Sequence, residues 1–97
     1  MKNDYNWTSR IKDEKHFAKT VMARYKMSNT KNKDFVNIVI LDYKEIIKFF
    51  NYELFVEELK LLDFNIINID NNYIGVVKNN ETREIRLGKL LKINMFL

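Results

Sequence analysis

Apolar positions near the start of the chain recur at helical spacing. Ile11, Phe17, Ala18, Val21, Met22 and Tyr25 fall on one side at about 100° per residue, while Lys12, Lys15, Lys19 and Lys26 share the opposite side with His16 beside them. This predicts an amphipathic helix from a Thr8 or Ser9 cap to about Met27, with residues 1–8 as an aperiodic arm. Polar residues 28–33 end it. The β-branched run Phe35–Leu41 reads as a buried strand. Asp42 with Glu45 has capping-box spacing and should open a short helix over 43–50. Asn51 then caps a second helix over 52–63.

In that second helix Leu54, Phe55, Val56, Leu59, Leu61 and Leu62 spread round most of the circumference, and Glu53 and Glu57 form the main polar stripe. A helix apolar on more than one side is deeply buried or shared with a partner. A small domain offers little depth, so a self-complementary contact through Leu54, Phe55, Leu59 and Leu62 is expected to make a homodimer. Beyond Asn65 the pattern turns to strands. Residues 65–69 and 73–78 flank Asp70-Asn71-Asn72 as a hairpin, where Asp and Asn tolerate positive φ. A second turn at 79–81 leads into a strand over 82–87, which Gly88 breaks. Leu91, Ile93, Met95 and Leu97 alternate as a further strand, although a short helix over 89–93 fits nearly as well.

Composition narrows the function classes. The 97 residues are 46% hydrophobic and 31% charged, which suits one folded domain rather than a disordered chain or a membrane span. Within it, 1–8 is the arm, 9–64 the helical part and 65–97 the hairpin with a C-terminal segment. The absence of Cys rules out disulfides, zinc ribbons and thiol catalysis. No apolar leader is visible after Met1, so a cytoplasmic protein without membrane attachment is expected. Residues 1–33 carry nine Lys/Arg against three Asp/Glu (+6), residues 34–64 three against seven (−4), and residues 65–97 five against three (+2). Basic ends around an acidic middle suggest an anionic partner met by the ends, although uneven surface charge alone would produce the same profile.

Catalytic readings are poor. His16 is the lone histidine and no Ser/Asp arrangement accompanies it. Gly75 and Gly88 cannot build a phosphate-binding glycine loop. The nearest carboxylate groupings for a metal-dependent nuclease are Asp70 with Glu84 and Arg86, and Glu58-Leu59-Lys60, both more simply surface ion pairs. We therefore expect no enzyme, no metal and no cofactor.

The order helix, strand, two short helices, β-hairpin over residues 9–87, followed by a strand or short helix, resembles a winged helix-turn-helix domain, an α+β class. That resemblance implies a reading helix at 52–63 and a hairpin wing. Here the helix carries Glu53, Glu57, Glu58 and Asp63 against Lys60, and phosphates repel it. Contact with double-stranded DNA would pass to other elements. In the arm these are Lys2, Asn3, Asn6 and Arg10; on the first helix, Lys12, Lys15 and Lys19; around the wing, Asn71, Asn72, Lys78, Asn79, Asn80, Arg83 and Arg86. Asn pairs bidentately with adenine, and Arg pairs with guanine or enters a narrow A/T-rich minor groove. Size, element order, the acidic helix and the bias to Asn, Lys and Ile also resemble the relaxosome accessory proteins of the TcpK type from clostridial conjugative plasmids. That likeness implies a non-catalytic homodimer that binds repeats at a plasmid transfer origin and helps a relaxase assemble. The competing expectation is a small phage or plasmid protein that grips a protein target through its apolar middle helix.

Overall fold

In the computed structural model, residues 10–27 and 35–95 are described, Met95 by its backbone alone. The elements are α1 (Glu14–Met27), β1 (Phe35–Asp42), α2 (Tyr43–Phe49), α3 (Tyr52–Leu61), β2 (Phe64–Asn68), β3 (Tyr73–Lys78), a 3₁₀ turn (Asn79–Glu81), α4 (Thr82–Arg86) and β4 (Leu90–Met95). Thus the chain is α+β, with a mixed sheet in the order β2-β3-β1-β4. β3 runs antiparallel to both β1 and β2, whereas β4 runs parallel to β1 with Phe35 opposite Leu90 and Ile40 opposite Met95.

Local chemistry explains where the helices start. Asp13 caps α1, its Oδ1 accepting from the His16 N–H at 2.8 Å, while His16 Nδ1 accepts from the Lys12 N–H at 3.0 Å. The continuous helix expected from Thr8 or Ser9 is thereby corrected: residues 11–13 are not helical and α1 begins at Glu14, because the Asp13 side chain takes a free amide of the first turn, while Thr8 and Ser9 themselves lie outside the described residues. Asp42 Oδ1 accepts from the Lys44 and Glu45 N–H groups at 3.0 and 3.2 Å, and Asn51 Oδ1 from Leu54 N–H at 3.1 Å. Both predicted caps therefore form.

The three long helical segments pack on one face of the sheet. Phe17, Ala18, Val21 and Tyr25 of α1, Ile46 of α2, and Phe55 and Leu59 of α3 meet Val39, Leu41, Phe64, Ile74 and Val76 of the strands. Phe17 stacks on Phe55, centroids 4.1 Å apart and planes 16° apart, and also meets Phe50 at 4.9 Å. Such aromatic pairs add to the area they bury. The opposite face holds a smaller cluster of Ile38, Ile40 and Val77, flanked by Ile67, Tyr73 and Ile85.

Three further expectations need correction. Residues 82–87 are not a strand: 82–86 form α4. The segment has one apolar side chain to bury, Ile85, and one helical turn delivers it to the Ile38–Ile40–Val77 cluster, whereas a strand would have needed a free sheet edge beside β3, and β1 and β2 occupy both. The β2–β3 turn does not rest on positive φ. Asp70 Oδ1 accepts from Asn72 N–H at 2.7 Å and Tyr73 N–H at 3.0 Å, a side-chain-closed turn; the described non-glycine residue with positive φ is Asp63, at 67° after α3. Of the expected dimer residues, Phe55 and Leu59 are fully buried in the chain's own core, because α1 and the sheet cover the same side of α3. Leu54 is exposed and Leu62 half-buried. The alternative left open at the C-terminal end resolves as strand, since β4 pairs along six residues with β1.

Candidate nucleic-acid interface

Burial of Phe17, Ala18, Val21 and Tyr25 fixes the rotation of α1. Lys15, Lys19 and Lys26 stand on its exposed side, with Lys12 exposed just before it and Arg10 exposed nearby. From Lys15 to Lys26 the stripe is about 16 Å long at 1.5 Å per residue. Its C-terminal end is tied to the far end of β3: Tyr25 Oη donates to Glu81 Oε2 at 2.8 Å, across 56 residues of sequence. Burial, followed by the hydrogen bond to Glu81 and that carboxylate's charge, raises the Tyr25 hydroxyl pKa well above its ordinary range. This anchor brings the start of α4 to the same end of the molecule as Lys26, while α4 itself packs on the sheet face opposite α1, so exposed Arg83 and Arg86 do not continue the lysine stripe. None of Lys12, Lys15, Lys19, Lys26, Arg83 and Arg86 joins the ion pair seen among the described residues, Lys89 to Glu84 at 3.4 Å.

Other predicted contact residues have structural work. Lys78 Nζ donates to the Leu62 carbonyl at 3.2 Å and sits 4.8 Å from the Phe64 ring centroid, so its charge closes the C-terminus of α3. Asn79 holds Asp63 twice, through Nδ2 to Oδ1 at 2.8 Å and N–H to the carbonyl at 3.0 Å. That clamp keeps Asp63 in its left-handed conformation. Asn80 is exposed beside it. Asn71 and Asn72 are exposed in the β2–β3 turn, at the opposite end of β3 from Asn79 and Asn80. Six strand residues at about 3.3 Å each separate the two pairs, so the four asparagines do not form one reading surface. Lys2, Asn3 and Asn6 lie outside the described residues. Asp70 and Glu84 likewise sit at opposite ends of β3, so the carboxylate pairing weighed from sequence does not assemble.

α3 presents a different surface. Glu53 and Glu57 are exposed, Glu58 is half-buried, and Lys60 stands near its end. Beside its N-terminus is a cleft of about 480 Å³ lined by Tyr43, Tyr52, Asn68, Asp70, Asn71 and Ile74. Tyr43 and Tyr52 meet edge to face at 5.1 Å. Burial, with Tyr43 nearby, raises the Tyr52 hydroxyl pKa. Among the described residues that line this cleft none is a cation. Nothing in local sequence pattern marks the cleft, because its walls come from α2, α3, β2, β3 and the turn between the two strands. Lys26, by contrast, was legible as part of the α1 stripe.

Among the described residues, no group of three or more His, Asp or Glu side chains is placed to hold a metal ion, and no helix is long and apolar enough to cross a membrane. Comparison of the chain with protein families, curated proteins and solved structures returns no match.

Proposed function

We propose that this chain is a non-catalytic protein that binds double-stranded DNA through the lysine stripe of α1. The observation that carries the reading is the stripe of four exposed cations, Lys12 just before α1 and Lys15, Lys19 and Lys26 along its solvent side. Their spacing suits a polyanion, since duplex DNA presents one charge per about 1.7 Å of axis, about ten charges along the length of the stripe. A winged-helix plan supports the same reading. Three helices cover one face of a sheet whose β1, β3 and β2 are ordered as a strand followed by a wing hairpin would be. In this variant the third helix is acidic and turns its charge to solvent, so the contacts run through α1 rather than through the reading helix. The setting implied by the resemblance is a homodimer at a plasmid transfer origin alongside a relaxase.

The test is a titration of random-sequence duplex at several salt concentrations, with selection and sequencing of bound DNA. Four phosphate contacts give a log–log salt slope of about −3.6, or about 150-fold weaker binding between 50 and 200 mM salt. A flat or absent response overturns the proposal. Enrichment of one motif would separate a sequence reader from a general polyanion binder.

A further inference from the structure

We infer that β4 is a self-association edge, pairing antiparallel with β4 of a second copy about a two-fold axis centred on Ile93. The inference rests on the homodimer element of the reading above and not on DNA binding.

β4 is the outermost strand beside β1, so among the described residues one row of its backbone N–H and C=O groups has no strand partner. Natural proteins usually blunt such edges with bulges, proline or several charges. Here the pairing with β1 runs unbroken over six residues, the strand has no Pro or Gly, and it carries one charge, Lys92. Leu90, Leu91 and Ile93 are 59, 40 and 59% exposed, and neighbouring Phe35 is 37% exposed.

The occupant follows from symmetry and charge. An antiparallel two-fold that keeps each side chain on its own face of the sheet must centre on a residue. Centring on Lys92 sets two lysines directly opposite each other, which is unfavourable. Centring on Ile93 places Ile93 against Ile93, Lys92 against Asn94 and Leu91 against Met95, with no like charges facing. The five residues 91–95 are therefore their own complement. The exposed parts of Leu90, Leu91, Ile93 and Phe35 amount to on the order of 250 Å² of apolar surface per copy. A small specific interface buries roughly 600 Å² per partner, a little over half of it apolar. The edge thus suits a weak, concentration-dependent dimer, extending the four-stranded sheet to eight strands.

The chain lacks cysteine, which makes single-cysteine variants clean reporters. Under mild oxidation Ile93→Cys should cross-link to a covalent dimer, because the two-fold sets its Cβ atoms about 5 Å apart. Lys92→Cys should not, because its copies stand diagonally, about 7–8 Å apart. Sedimentation without DNA should show the unmodified chain dimerising as concentration rises. Ile93→Lys should remain monomeric while keeping the parent far-UV circular dichroism, and Leu54→Lys on α3 should leave the dimer intact. Cross-linking of Lys92→Cys but not Ile93→Cys, a dimer lost with Leu54→Lys, or a monomer at every concentration overturns the inference. DNA binding by a chain that stays monomeric would sink this edge while sparing the DNA reading.

Discussion

Removing one oxygen atom tests how the basic elements are held together. Tyr25, 7% exposed, sends its hydroxyl to Glu81 Oε2 at 2.8 Å, and its ring meets Phe64 edge-on at 5.4 Å. The other carboxylate oxygen, Glu81 Oε1, is buried without a hydrogen-bond partner among the described residues. Tyr25→Phe keeps the ring and its packing but leaves the carboxylate with neither oxygen paired. A hydrogen bond to a charged group is worth about 1.5–3 kcal/mol, so the variant should lose that much of a total near 5–15 kcal/mol. Glu81→Gln retains an acceptor without the charge and should lose about 1 kcal/mol. The double variant should fall short of additivity, because the two residues share one interaction.

The same contact has a pH signature. The hydroxyl pKa is raised on folding, so the folded chain holds this proton after the unfolded chain has released it near pH 10. The contribution is therefore complete below about pH 10 and is lost as pH rises beyond it. Denaturant titrations at neutral and alkaline pH should give a steeper alkaline loss for the parent chain than for Tyr25→Phe, with the remaining slope due to Tyr52. Equal midpoints for parent and Tyr25→Phe at neutral pH, with parallel alkaline limbs, would refute the reasoning.

Phe55→Ala removes the ring stacked on Phe17 and should cost about 3–5 kcal/mol, enough to leave much of the chain unfolded by circular dichroism. A Cβ at Gly75 would lie 2.5 Å from Ile38 Cδ1 inside the smaller apolar cluster, so Gly75→Ala should cost about 1–3 kcal/mol in denaturant midpoint. At Gly88, where φ is +82° and the space is open, Gly88→Ala should cost only the backbone strain, about 1–2 kcal/mol. Replacing Lys15, Lys19 and Lys26 together by Gln should lower the salt slope of DNA binding by nearly three, at unchanged thermal stability, since all three side chains are solvated.

Much of the helical layer was legible because its information is local. The repeat of Phe17, Ala18, Val21 and Tyr25 states which face is buried, and Asp42 and Asn51 each cap amides within three residues of themselves. The lysine stripe follows from the same period. The dimer reading of α3 failed at Phe55 and Leu59 for the opposite reason. A helix apolar on several sides looks alike from sequence whether its cover is a second chain or α1 of its own.

The chain by itself determined the amphipathic α1 with its outward lysines, the buried β1, the two capped short helices, the β2–β3 hairpin and an acidic α3, because each depends on residues within one turn or one strand. Tertiary structure alone decided that β4 lies parallel to β1, that 82–86 coil into α4, and that Asn71–Asn72 and Asn79–Asn80 stand at opposite ends of β3. It also decided that Lys78 and Asn79 serve the end of α3 and that Tyr25 reaches Glu81. Those outcomes depend on which edges and carbonyls remain unsatisfied after distant segments have paired, and no local period records that.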